Sequence, residues 1–162
     1  MSVFLVRHAH AGDRGDWQAD DRLRPLTKKG SKQARAIADQ LEPLGVRRLI
    51  SSSYLRCVQT LEPLAERLGL EIEKDDRLAE GAGLAALDLL REAGEGAALC
   101  THGDICADVL GHLARQGVVR GALEAEKAST WVLELEGERI AGARYLTPPR
   151  SAGRSLPKGG GR

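Results

Sequence analysis

The sequence predicts an α/β protein: a three-layer sandwich with a mostly parallel central sheet, helices on both faces, an antiparallel edge, and little or no cap. Three observations carry this. Two short, wholly apolar runs, Val3-Phe4-Leu5-Val6 and Ala97-Ala98-Leu99-Cys100, have the character of central strands covered on both sides. Segments of helical periodicity alternate with the strands. Further along, Trp131 to Leu135 alternates apolar and polar residues, and Gly137 can turn the chain into a second strand near Arg139 to Tyr145, an antiparallel pair at an edge.

Each element has its own signal. After the first strand, residues 8 to 26 lack periodicity, and a loop of that length is usually functional or poorly ordered. Thr27 can cap a helix whose inward face is Ala34, Ile37, Ala38 and Leu41, and Pro43 and Gly45 stop it. A second short strand covers Arg48 to Ser51. The next helix carries a stripe of Val58, Leu61, Ala65 and Leu68 and ends at Gly69; Pro63 inside it should kink or split it. Glu71 to Glu73 reads as a brief strand. Gly81 and Gly83 mark a turn before a helix bearing Leu84, Leu87 and Leu90. The third buried strand ends at Cys100, and Thr101-His102-Gly103 leads into a helix with Ile105, Val109, Leu110 and Leu113. These elements make one domain over residues 1–147. From Pro148, a stretch of Pro, Gly, Ser and Arg over residues 148–162 reads as a disordered tail.

Composition narrows the class of function. The chain has 162 residues, enough for a real core, and a formal net charge of +1 that argues against a basic nucleic-acid face or a membrane-surface protein. Cys57, Cys100 and Cys106 are odd in number and lie in apolar segments, as small core residues of a reducing compartment do. No apolar run approaches the roughly 20 residues that span a bilayer, and the N-terminus enters a strand without a signal-peptide pattern. A cytoplasmic protein is expected.

In open α/β sheets, ligands bind beyond the carboxyl ends of the strands. Arg7-His8 follows the first strand, Arg56 comes shortly after the second, and His102 follows the third. If these strands are parallel, the four residues converge into a pocket for an anion with several oxygens, most plausibly phosphate, which arginine's planar fork binds bidentately. A neutral imidazole can attack phosphorus and become phosphorylated, splitting hydrolysis into two steps. The arginines would stabilise the equatorial oxygens, and a carboxylic acid would protonate the leaving group. Glu80, opening a Gly-rich turn, is the obvious acid; Asp21 is the alternative. Arg24 either faces the phosphate or pairs with Asp20 or Asp21. His10 is expected to line the pocket mouth. Two readings of other classes stand beside this one: a metal-dependent hydrolase ligated by His8 and His10, and a phosphate-recognition module without catalysis.

Five motifs in order, "LVRHA", "RPLTKKGSKQA", "SSSYLRCVQT", "RLAE" and "CTHGD", resemble the histidine phosphatase superfamily, with its phosphoglycerate mutase-like fold. The resemblance runs from Val3 to about Leu146. It is best to the short members, the SixA-type phosphohistidine phosphatases and the phosphatase-like domain appended to some Nudix hydrolases. It implies that His8 is the phosphorylated nucleophile, that Arg7, Arg56 and His102 hold the phosphoryl group, that Arg24 is an additional phosphate-facing arginine, and that Glu80 is the proton donor. No metal and no organic cofactor are implied. The implied partner is a phosphorylated substrate, foremost a phosphohistidine-bearing protein, with small phosphate esters or nucleotides as the runner-up.

The sequence also departs from the family. Its best-known signature continues with Gly, then Thr and Asn, after the nucleophile; here Ala9, Ala11 and Arg14 stand there. That argues against a true phosphoglycerate mutase and fits the SixA-like branch. Only 23 residues separate Arg56 from Glu80 and 21 separate Glu80 from His102, which leaves little room for the helical cap of the mutases. An open pocket suits a phosphate on a large substrate.

Overall fold

The computed structural model describes residues 1–150. In chain order it contains β1 (Ser2–Arg7), α1 (Lys28–Leu41), β2 (Arg48–Ser51), α2 (Leu55–Leu68), β3 (Ile72–Lys74), α3 (Ala85–Ala93), β4 (Ala97–Thr101), α4 (Gly103–Arg115), β5 (Thr130–Glu136) and β6 (Arg139–Leu146). The strands form one sheet in the order β3-β2-β4-β1-β5-β6. β1, β4, β2 and β3 run parallel, and β5 and β6 form the antiparallel edge. This is the architecture the sequence predicts.

The continuous apolar runs have a simple cause. Successive side chains of a strand point to opposite faces, and both faces are covered. Val3 and Leu5 of β1 pack with Leu87 and Leu90 of α3 and Val109 and Leu110 of α4. Phe4 and Val6 pack with Ile37 and Leu41 of α1 and Leu61 and Leu64 of α2. All four β1 side chains are fully buried, each contributing about 1.5–3 kcal/mol. β1 is therefore a rigid base for whatever follows it.

α1 keeps its predicted inward face, and Thr27 Oγ1 accepts a 3.1 Å bond from Gly30 N as the cap. Gly30 is required for another reason: a Cβ there would fall 1.9 Å from His10 O, so α1 is pressed against the loop that leaves β1. That loop is not featureless, and short 3-10 turns at Arg14–Asp16 and Asp21–Leu23 organise it.

Several details differ from expectation. Pro63 does not split α2, which runs unbroken from Leu55 to Leu68; proline lacks an N–H, so only the bond to the Gln59 carbonyl is lost. The buried face of α2 is Arg56, Cys57, Thr60, Leu61, Leu64 and Ala65, leaving Val58 and Leu68 only partly covered, because the first turn faces the sheet's carboxyl rim. Leu84 precedes α3 as its exposed N-cap. β3 sits one residue later than expected, and the segment between β3 and α3 holds one short 3-10 turn at Asp76–Leu78, too small for a cap domain. The tail expected over residues 148–162 falls mainly on residues 151–162, which lie outside the described residues. Among the described residues no helix is long and apolar enough to cross a membrane.

Candidate active site

Parallel pairing brings three strand exits together. Arg7 stands opposite Thr101 in the β1–β4 register and Ser51 opposite Cys100 in β2–β4. The backbone continues the ladder past the strands: His8 N donates to Thr101 O and Ser52 N to Cys100 O, each at 3.0 Å. The rim they form opens into a pocket of about 960 Å³ lined by Arg7, His8, Arg24, Arg56 and Glu80 among others. His102 stands behind it, almost fully buried.

His8 is held for one task. Its Nδ1 lies 2.8 Å from Ala9 O, which can only accept, so Nδ1 carries the proton and Nε2 the lone pair. Burial lowers its pKa from 6.5 to about 3; the bond to Ala9 opposes this, and the charges of His102, Arg56 and Arg7 assist it. The ring is therefore neutral at any ordinary pH. It meets the His102 ring edge-on, with centroids 5.4 Å apart.

Arg24 and Arg56 are buried and Arg7 is half-buried, and Arg7 and Arg56 keep unspent donors. Arg7 Nη1 donates to Ala125 O at 2.7 Å, and its guanidinium lies against the start of α4, where a Cβ on Gly103 would come within 2.8 Å of Arg7 Cζ. Arg56 is completely inaccessible. It donates to Asp21 O (2.9 Å), Asp21 Oδ2 (3.1 Å) and Glu80 Oε2 (2.8 Å), and it stacks over Tyr54 at 5.0 Å. Arg7 Nε, Arg56 Nε and His102 Nδ1 are buried without a hydrogen-bond partner. Such orphans are rare in folded proteins, and three around one histidine beside a helix N-terminus mark a site suited to a polyoxyanion.

Arg24 resolves both ways. Its Nε pairs with Asp21 Oδ1 at 2.9 Å and its Nη1 donates to Ala11 O and Gly12 O, yet it also lines the pocket.

The two carboxylates have different jobs. Asp21 is shared by Arg24, Arg56 and, at 3.5 Å, Arg14 Nε. Burial alone would raise its pKa; bonds from Arg24 and Arg56 outweigh that and hold it below the usual carboxylate range. Glu80 lines the pocket. It accepts two 3.0 Å bonds from Arg14 and stands 3.5 Å from His102 Nδ1, too far for a sound hydrogen bond. Of the two carboxylates, Glu80 reaches the pocket wall and Asp21 does not.

The structure brings Arg7, His8, Arg24, Arg56, Glu80 and His102 together. His10 is the exception. It does not line the pocket: its Nδ1 sits 2.8 Å from Thr27 Oγ1 and its N donates to Gln33 Oε1, tying the loop to α1. The i, i+2 spacing that suggests a metal pair thus sends the two rings to different surroundings, and no group of three or more potential ligands occurs among the described residues. Ser52, whose Oγ lies 2.9 Å from His102 Nε2, and Tyr54, edge-on to the His102 ring, also stand at the site; both fall within the motif SSSYLRCVQT, which gives them no role of their own. Arg14 and Lys127 line the outer pocket wall and carry no signal in the sequence beyond their places in loops.

An α/β sheet whose parallel carboxyl rim presents a neutral, oriented histidine among buried arginines defines a class: a phosphoryl-binding protein centred on histidine. The chain belongs to the histidine phosphatase superfamily (branch 1), whose sequence description matches residues 3–86. It is 37% identical over 156 residues to the 8-oxo-(d)GTP phosphatase of Mycolicibacterium smegmatis, which covers 91% of this chain and 48% of that protein. The chain therefore spans about half the length of this curated relative. Among solved structures, the fold resembles the protein histidine phosphatase SixA in complex with tungstate (TM-score 0.69, 21% identity, 95% of this chain and 99% of that one). It also resembles mycobacterial glucosyl-3-phosphoglycerate phosphatase (TM-score 0.64, 19% identity, 93% and 99%).

Proposed function

We propose that this chain is a phosphatase that works through a phosphohistidine on His8, without a metal ion. The observation that carries the reading is the state of His8: neutral, with Nδ1 fixed by Ala9 O and Nε2 left as the nucleophile on a pocket rimmed by arginine. In the first step Nε2 bonds to phosphorus while the bond to the leaving group breaks, and Glu80 gives that group its proton. Arg7, Arg24, Arg56 and His102 hold the oxygens as charge spreads over them. In the second step Glu80 takes a proton from water, the water oxygen bonds to phosphorus, and the P–N bond breaks to release phosphate. Asp21 keeps Arg24 and Arg56 in place. Three free, buried cysteines fit a reducing compartment such as the cytoplasm.

Two substrate classes have support. The 37% identity over 91% of the chain to a protein named for a nucleotide favours a nucleotide phosphate. The fold likeness to SixA, together with a rim that no cap covers, favours a phosphohistidine on a protein surface. The test of the mechanism precedes either: hydrolysis of p-nitrophenyl phosphate in the presence of a chelator, with rapid-quench trapping of acid-labile phosphate on the protein. Activity with chelator present, and its loss in His8→Ala together with the trapped phosphate, is the expected result. Full activity in His8→Ala overturns the mechanism. A screen of nucleoside phosphates against a phosphohistidine protein then separates the two substrate classes.

A further inference from the structure

The pocket is much larger than one phosphoryl group needs. At about 960 Å³ it reaches the upper end of the roughly 300–1,000 Å³ of pockets that enclose a whole small molecule. Its cations also fall into two sets. Arg14 and Arg24 are paired with Glu80 and Asp21, and Arg56 with both. Arg7 and Lys127 also line the pocket, and among the described residues no carboxylate stands within ion-pair distance of either; Arg7 donates to Ala125 O, whereas Lys127 has no hydrogen-bond partner among those residues. Asp13 and Asp104 line the same pocket without pairing with Lys127, and Asp104 has one oxygen engaged by Gly81 N at 2.8 Å.

The segment that carries Lys127 is unusually fixed. Arg7 Nη1 donates to Ala125 O, Trp131 Nε1 to Glu124 O at 2.7 Å, and Glu126 N to Tyr145 Oη at 3.3 Å. Ala128, the next residue, is fully buried, and its N donates to both Arg7 O and His8 O at 3.1 Å. It also holds φ +70°, the one non-glycine residue at positive φ among those described. An alanine gains nothing from that conformation. Strain of this kind persists where surrounding contacts enforce it, and it gathers at ligand sites. Here the enforced turn joins Lys127 directly to the backbone of the nucleophile.

We infer that Lys127 binds a second anionic group, a phosphate or carboxylate, on the same substrate whose phosphoryl group goes to His8, so that the substrate is a small polyanion. This rests on the reading of the His8 pocket as a phosphoryl site. The arginines and His102 take the transferred group, and Lys127, a compact cation with three donors, meets the charge that follows it.

Competitive inhibition of p-nitrophenyl phosphate hydrolysis tests this with three probes: orthophosphate, pyrophosphate and phosphonoacetate. In the unaltered protein at least one of the two-headed probes should bind about tenfold or more tighter than orthophosphate, as expected for one added charge-assisted bond. Lys127→Ala should bring that probe to the level of orthophosphate, leaving orthophosphate inhibition and p-nitrophenyl phosphate turnover within about threefold; Lys127→Arg should retain the preference. Pyrophosphate as the preferred probe indicates a phosphoanhydride chain, phosphonoacetate a carboxylate beside the phosphate. The inference is overturned if neither probe exceeds orthophosphate, if Lys127→Ala weakens all three alike, or if it weakens none. Its failure is distinct from that of the mechanism, because p-nitrophenyl phosphate turnover would still depend on His8.

Discussion

The rim of the pocket has two halves built by different physics. Arg7, His8, Ser52 and His102 leave the ends of buried strands, and backbone bonds to Thr101, Ser129 and Cys100 fix their positions. Arg14, Asp21, Arg24 and Glu80 come from loops and short 3-10 turns and are held by one another's charges. Arg56, buried on α2, joins the two through Asp21 and Glu80. The sheet places His8 and its companion His102, whereas mutual attraction places Arg14, Asp21, Arg24 and Glu80. Buried hydrogen-bonded pairs are costly to break from one side, so the second half is ordered but interdependent.

Exchanging the two carboxylates one at a time tests this division most strongly. Glu80→Gln keeps shape and removes the acid, and kcat for p-nitrophenyl phosphate should fall about 100- to 10,000-fold. Asp21→Asn should leave kcat within about tenfold while lowering the urea midpoint, since Arg24 and Arg56 lose their shared anion. The reverse pattern would make Asp21 the proton donor. Arg56→Ala comes next. It removes the buried bridge between Asp21 and Glu80, which are partly exposed and keep Arg24 and Arg14, so unfolding free energy should drop by about 1–3 kcal/mol. A drop below about 1 kcal/mol would show that the loop half holds itself without that bridge.

The same division decides what could be read from the sequence. β1 and β4 are legible because a strand buried on both faces must be apolar at every position, and β5 because exposed Glu134 and Glu136 flank buried Leu135 at strand period. Arg7, His8 and His102 follow from them, since a strand end fixes its neighbours. Arg56 is legible for a related reason: a cation in the first turn of a helix is out of place unless an anion joins it, and Asp21 and Glu80 are those anions. Arg14 and Lys127 leave no such mark. Their places depend on tertiary contacts of segments with no period, the 3-10 turn at Arg14–Asp16 and the strained turn at Ala128. His10 shows the opposite failure: its place in the loop after the first strand suggests the pocket mouth, while the loop pressed against α1 at Gly30 carries its ring to Thr27.

Gly103→Ala probes the strand half more gently. The new Cβ would come 2.8 Å from Arg7 Cζ, the far end of a side chain that can shift. The fold should therefore tolerate it, but Arg7 should no longer sit over the start of α4. KM for p-nitrophenyl phosphate is expected to rise about tenfold, with a smaller change in kcat, as for one charge-assisted bond disturbed. An unchanged KM would remove Arg7 from the phosphate's contacts and leave it a purely structural residue.

The least disruptive experiment changes only pH. Burial lowers the His8 pKa to about 3 against 6.5 when unfolded. Between those values the unfolded chain takes a proton that the folded chain refuses, so it binds more protons there. Stability from this group is complete above pH 6.5 and declines as pH falls toward 3. Two measurements follow. The His8 ring resonances, assigned by their absence in His8→Ala, should show no protonation between pH 8 and 5. The loss of stability on acidification over pH 6.5 to 4 should be shallower in His8→Ala than in the unaltered protein, because the variant lacks the group that the unfolded state protonates. A His8 titration with a midpoint near 6.5 would mean that the sheet does not desolvate the ring, and the contrast between a strand-fixed neutral histidine and a charge-held loop half would fail at its first member.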